Sequence, residues 1–488
     1  MSAKVIEGLK PELVWQRFYE LTQVPRPSKK EEKVVEYVRN FAKERNLEFK
    51  EDNVSNIVIK VPATKGYENA PIVVLQGHVD MVCEKNKGTD HDFDNDPIKL
   101  KIEGEWITAE GTTLGADNGI GVAAALATAN DDTFVHGPLE LLLTVDEETG
   151  LTGANNLKPG FVEGRILLNM DSEEDGAFYV GCSGGQDTNG FYKISKEPAK
   201  DGLVPVEIMV TGLKGGHSGL DVAAGRANAL KLLARYLKKI SGIEYYVAKM
   251  NGGSKRNAIP REAEVVALVK YADLEKLEAA AKDFTNEALL EYKTNDGGAK
   301  VSIKKVDGSF EKVYTKAFTE KIVNVLYAMP NGIIAMSPDI PGLVETSTNL
   351  ATIDEENDVL RVGTSQRSSI ETAKMYVSNS VAAIFKLSGA DEVKTGDGYP
   401  GWQPNMDSKL LKAAREVFTE MNGKEAHIKA IHAGLECGIL GDKYPGMDML
   451  SYGPTIEGAH SPDEKLKIAD IEKFWNLTKG ILEKIAKG

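Results

Sequence analysis

The chain has 488 residues, 42% hydrophobic and 27% charged, which suffices for two domains each with its own core. A net charge of −14, from 59 basic and 73 acidic residues, argues against binding nucleic acid or acidic membrane surfaces, both of which need basic patches. No apolar run nears the roughly 18–20 residues that cross a bilayer. Met1–Val14 lacks the apolar core and cleavage site of a signal peptide, and Cys83, Cys182 and Cys437 are scattered and odd in number, so a reduced, cytoplasmic location is expected.

Pro11–Leu47 carries helical periodicity through Leu13, Phe18, Leu21, Val34, Val38 and Phe41. Three short apolar runs follow, Pro71–Gln76, Leu139–Val145 and Arg165–Met170, and their Val, Ile and Leu content predicts strands buried on both faces. A Gly/Ala-rich helix, Gly119–Ala129, lies between the first two. The pattern predicts an α/β domain with a mainly parallel sheet.

From about Asp187 the texture changes. Strands over Val204–Thr211, Tyr245–Asn251, Glu262–Val269 and Lys300–Val306, with helices over Arg226–Lys239 and Leu274–Tyr292, give the order of a ferredoxin-like α+β unit. Thr315–Ala328, Glu345–Ile353, Val359–Ser365 and Thr372–Leu387 offer a second α-β-β-α set. The expected organisation is a domain made of 1–186 and 401–488, interrupted by an insertion at 187–400 that holds duplicated α+β units.

Each apolar run ends in residues that can bind a metal: Gly77-His78-Val79-Asp80, Asp146-Glu147-Glu148 and Met170-Asp171-Ser172. In open α/β sheets, sites gather at the carboxyl ends of strands, so these side chains are expected to converge. Asp117, just before a helix, and His460, in a Gly-containing loop, can join them. Two zinc ions held close together need a carboxylate between them and further oxygen or nitrogen donors around them. His78, Asp117, Glu148, Asp171 and His460 make such a set, and manganese or cobalt would accept the same donors. Glu147, beside a ligand, is the candidate general base, and Asp80 can orient the His78 imidazole. Taken singly, each residue has a plainer explanation as a core histidine, an acidic turn or a helix cap. Jointly those explanations weaken, because three buried strands all end in acidic residues or histidine.

The strings Gly77–Val82, Leu114–Gly119, Thr144–Gly150, Gly215–Gly219, His432–Gly438 and Gly458–Pro462, in this order, resemble the two-zinc peptidases related to carnosinase and carboxypeptidase G. Within them the chain is most similar to the aminoacyl-histidine (Xaa-His) dipeptidases. The resemblance implies a phosphorylase/hydrolase-like catalytic domain and an inserted lid or dimerisation domain. It implies that Asp117 bridges both zincs through a cis Asp117–Asn118 segment. His78 and Asp171 would then hold one zinc, Glu148 and His460 the other, with Glu147 as base and Asp80 orienting His78. His217 would stabilise the oxyanion once the lid closes, although a turn histidine is the plainer alternative. Asn257 and Arg367 resemble lid positions that grip substrate, Arg367 clamping the terminal carboxylate unless it is a surface arginine at a strand end. Glu436 would bind the free amino group of a dipeptide or else partner His432.

The activity implied is metal-dependent hydrolysis of dipeptides by a zinc-bridging hydroxide, with Xaa-His or broad specificity. A homodimer and a monomer are both compatible with the resemblance. An amidase or aminoacylase acting on N-acyl amino acids is the rival within the same chemistry, and a non-catalytic peptide-binding scaffold is the rival outside it.

Overall fold

The apolar runs form adjacent parallel strands. In the computed structural model, which describes residues 3–488, Val73–His78 lies between Leu139–Thr144 and Ile166–Asn169, and Asp448–Ser451 pairs parallel to the last. Met1 and Ser2, where the reading of a leaderless N-terminus begins, lie outside the described residues. Burial on both faces explains the unbroken apolar sequence: every residue of Val73–His78 and of Leu139–Thr144 is buried. The sheet is mixed rather than mainly parallel. It has eight strands, and antiparallel strands flank the parallel centre, with Ile57–Val61 on Leu139–Thr144 and Ala177–Cys182 beside Asp448–Ser451.

The chain divides into two compact units, 1–181, 404–430 and 435–488 in one, and 182–403 with 431–434 in the other. In the first unit the helical periodicity of Pro11–Leu47 resolves into two helices, Glu12–Thr22 and Glu32–Glu44, separated by a segment with prolines at Pro25 and Pro27. The helix Ala116–Thr128 is almost wholly buried, as its Gly/Ala content permits. A small four-stranded sheet includes the antiparallel pair Ile456–Glu457 and Lys465–Lys467, between which the chain carries His460.

The second unit is built on one nine-stranded antiparallel sheet. Its two α+β halves join where Gly252 of Tyr245–Gly252 meets Ile353 of Val344–Glu356. In Leu203–Thr211, fully buried residues alternate with partly exposed ones, as expected of a strand with one face in the core. That core draws Leu230, Leu233 and Leu237 from Ala229–Lys239, Leu277 and Phe284 from Leu274–Asp296, and Phe385 from Glu371–Leu387. Burying each such side chain is worth roughly 1.5–3 kcal/mol.

Candidate active site

In the first unit the strand ends do converge. His78 closes its strand and is 1% exposed. Its Nε2 lies 3.1 Å from Asp117 Oδ1 and 3.2 Å from Asp171 Oδ1. His460 Nε2 lies 3.1 Å from the other oxygen of Asp117, Oδ2, and 3.0 Å from Glu148 Oε2. Asp117 therefore turns one carboxylate oxygen to each imidazole. His78, Asp117 and Asp171 offer ligand atoms within 4.8 Å of one another, as do Asp117, Glu148 and His460, and a further group joins His78, Glu147 and Glu148. The Asp117–Asn118 bond is cis, as the resemblance implies. Asp146 (φ 48°), next to Glu147, and His460 (φ 63°) hold left-handed backbone, a conformation that costs a non-glycine residue free energy.

The electrostatics fit a pair of divalent cations. Asp117, Glu147, Glu148 and Asp171 are four carboxylates, and none forms an ion pair with lysine or arginine among the described residues. Oε1 of Glu148 is buried with no hydrogen-bond partner. Burial pushes the Asp171 carboxyl up to about 7, against the pull of His78. Hydrogen bonds that its imidazole donates to Asp117 and Glu148 raise His460 to about 11. Burial also lifts Glu147 well above the ordinary carboxylate range, with Asp171, Glu436 and Glu148 adding to it against His78. A cluster that holds protons this way can exchange them for cations.

Asp80, fully buried, lies with Oδ1 3.3 Å from His78 Nδ1. The same oxygen accepts the amide of Glu147 at 3.0 Å, while Oδ2 accepts from Ser28 Oγ at 2.8 Å and from the Glu148 amide at 3.3 Å.

Two residues that the sequence reading missed frame the Asp117 loop. Glu464, 2% exposed, accepts the amides of Leu114, Gly115, Ala116 and Asp117 at 2.7, 2.9, 2.8 and 3.3 Å. Arg26, also 2% exposed, donates to the carbonyls of Val79, Asp80 and Gly115. Both act on main-chain atoms, which look alike in any sequence, and only the acidic Asp463-Glu464 pair after His460 could have drawn notice.

Glu436 is fully buried. Its Oε2 accepts from Gln76 Nε2 at 2.6 Å and Thr144 Oγ1 at 2.8 Å, and Oε1 is sealed from solvent. Burial pushes it up to about 7. Through Oε2 it ties the strand Val73–His78 to the end of Leu139–Thr144. In the second unit the His432 imidazole is 6% exposed, bonds Ser347 Oγ at 2.7 Å through Nε2, and keeps Nδ1 buried. Oε1 of Glu436 and Nδ1 of His432 are both buried with no hydrogen-bond partner among the described residues.

In the second unit, His217 pairs on the short strand Gly216–His217 with Ala258–Ile259. Its Nδ1 accepts the amides of Gly219 and Leu220 at 3.2 and 3.0 Å, so the ring proton sits on Nε2. Burial, with Arg367 nearby, lowers its pKa to about 4 and keeps the ring neutral. Arg367 is 5% exposed, which excludes the surface-arginine alternative, and its Nη2 lies 3.5 Å from His217 Nε2. Asn257 has an exposed side chain, and its carbonyl accepts the Ser218 amide at 2.8 Å.

The model of Peptidase family M20/M25/M40 matches residues 74–484. The chain belongs to peptidase family M20/M25/M40. As an M20 peptidase it is a hydrolase of peptide bonds. It is 40% identical, over 98% of its length and 99% of the relative's, to the Cytosol non-specific dipeptidase of Escherichia coli (strain K12). The crystal structure of Aminoacylhistidine Dipeptidase from Vibrio alginolyticus superposes with a TM-score of 0.90 at 41% identity, covering 98% of this chain and 97% of that one. A tripeptidase from Staphylococcus aureus, at 16% identity and a TM-score of 0.57 over 98% of this chain and all of its own, shares the M20 fold. No helix among the described residues is long and apolar enough to cross a membrane.

Proposed function

We propose that this M20 peptidase is a cytoplasmic two-zinc dipeptidase acting on free-amino dipeptides, Xaa-His among them. The observation that carries the reading is Asp117, whose two oxygens face His78 and His460 and so join two three-residue donor groups into one. Identity of 40% to a relative named as a cytosolic dipeptidase supports the substrate class and the compartment.

His78 and Asp171 would hold one cation and Glu148 and His460 the other, with Asp117 offering an oxygen toward each group. Imidazole and carboxylate donors without thiolates suit zinc, and manganese or cobalt in its place. Cations bound there would supply Lewis-acid chemistry and a more acidic water. Glu147 would act as the general base that accepts a proton from the attacking water and returns it to the leaving amine. Asp80 holds the His78 ring and the Glu147 backbone in register. His217 donates its Nε2–H to the oxyanion as a neutral imidazole, Arg367 takes the terminal carboxylate, and Asn257 grips the substrate beside them.

The test is a panel of dipeptides and their N-acetyl derivatives, assayed with protein loaded with zinc or manganese, alongside metal analysis. Two metals per chain and cleavage of free-amino dipeptides are expected. Cleavage of the N-acetyl series alone would turn the reading toward an aminoacylase, and two bound metals with no hydrolysis would leave a peptide-binding scaffold.

A further inference from the structure

Tyr399 is held at an unusual number of points. Its amide donates to the Gly185 carbonyl at 2.9 Å, and its own carbonyl accepts from the Gly185 amide at 3.1 Å and from Nζ of the buried Lys374 at 2.7 Å. The ring occupies a slot between two glycines. A Cβ on Gly185 would stand 2.5 Å from ring Cε1, and one on Gly434 would stand 2.9 Å from Cε2. All of this fixes one atom, the phenol oxygen, which accepts Nη1–H of Arg367 at 2.9 Å.

A phenol that accepts from a guanidinium keeps its own O–H to donate, and no acceptor for that proton is found among the described residues. The neighbouring groups are donors as well. Nη2 of Arg367 and Nε2–H of His217 face each other at 3.5 Å, and neither can satisfy the other. Arg367 forms no ion pair with a carboxylate among the described residues; its remaining contact is Ser218 Oγ at 3.4 Å. Guanidinium, imidazole and phenol thus gather donors that lack a shared acceptor, and a carboxylate with its two oxygens is the anion of matching valence.

We propose that Tyr399 is a substrate-specificity residue: its O–H donates to the terminal carboxylate of the substrate, and its oxygen fixes the rotation of the Arg367 guanidinium. The proposal rests on the reading of Arg367 as the carboxylate clamp.

The experiment compares a dipeptide with its C-terminal amide, which lacks the carboxylate charge, in wild type, Tyr399→Phe and Arg367→Lys holoenzymes. Phenylalanine keeps the ring in its slot and removes only the hydroxyl. The expected result is that the wild-type preference for the acid, read as the ratio of kcat/KM values, falls roughly tenfold in Tyr399→Phe, the size of one hydrogen bond to a charged group. A ratio that stays at the wild-type value in Tyr399→Phe overturns the role of Tyr399, whether both activities are intact or fall together. A wild-type enzyme that does not distinguish acid from amide would instead sink the carboxylate reading of Arg367.

Discussion

The carboxylate of Asp80 touches the His78 ring, at 3.3 Å from Nδ1, and with the same oxygen accepts the amide of Glu147 at 3.0 Å. One side chain thus sets both the tautomer of a proposed metal ligand and the position of the proposed base. Its loss should affect chemistry more than metal. We expect Asp80→Ala to lower kcat by about 10–100-fold, the usual range for a residue that orients a ligand, while retaining most of its zinc. His78→Ala, which removes a ligand outright, should bind one zinc fewer. Metal content and turnover on the two variants decide the matter, and equal zinc loss in both would remove the distinction.

Glu464 gathers four successive amides, from Leu114 to Asp117, at the loop that carries the shared carboxylate. Glutamine keeps one acceptor oxygen but turns an N–H donor toward donors. The amides it abandons are buried, and each costs about 1–3 kcal/mol when unsatisfied. Glu464→Gln should therefore reduce the unfolding free energy by at least about that amount and weaken metal retention, because Asp117 is no longer held in place. Denaturant unfolding and dialysis against a chelator would measure the two effects. Intact stability with intact metal affinity would show that the carboxylate is dispensable.

Acid should weaken the second unit through two imidazoles. His217 is lowered to about 4 by burial and Arg367, with only Asp221 pulling the other way. His432 is lowered to about 3 by burial, Arg367 and His217. Unfolded, both would titrate near 6.5, so below that pH the unfolded chain binds more protons than the folded one, and stability rises with pH. Their contribution is therefore complete above pH 6.5 and is lost progressively as pH falls toward 4 and then 3. Comparing unfolding midpoints at pH 7 and pH 5 in wild type and in a His217→Gln/His432→Gln variant checks this. The variant should show the smaller drop; an equal drop would assign the acid sensitivity elsewhere.

Three of the proposed ligands, His78, Glu148 and Asp171, were visible in the sequence because each ends or follows a run whose burial is written in its own apolarity: Val73–His78, Leu139–Thr144 and Ile166–Asn169. Strand order was not visible. Asp448–Ser451 pairs beside Ile166–Asn169 across nearly three hundred residues, and nothing local to either strand encodes the partnership. Gly184–Lys193 escaped notice for a different reason. It begins Gly-Gly-Gln-Asp-Thr and has no apolar run, yet Thr188 is buried because its hydroxyl bonds Gln366 Oε1 and Ser378 Oγ, both at 2.9 Å. A strand whose burial depends on polar partners from distant segments shows its pattern only once those partners are in place. The same holds for Arg26 and Glu464, which bind backbone groups.

Gly219 offers a way to disturb the proposed oxyanion donor without touching a ligand. A Cβ there would lie 2.0 Å from the His432 carbonyl oxygen and 3.1 Å from His217 Cε1. The backbone oxygen cannot swing aside as a flexible side-chain tip would, so the loop bearing His217 must move. Overpacking of this kind costs about 1–3 kcal/mol, and a catalytic group misplaced by about 1 Å can lose on the order of 100-fold in rate. The five proposed ligands all belong to the other unit. We therefore expect Gly219→Ala to keep wild-type zinc content and to lose turnover on the order of 100-fold, matching His217→Ala. Zinc analysis and initial rates on both proteins test it. Full activity in Gly219→Ala would mean that the donor tolerates displacement, and full activity in His217→Ala would end its assignment as the oxyanion donor.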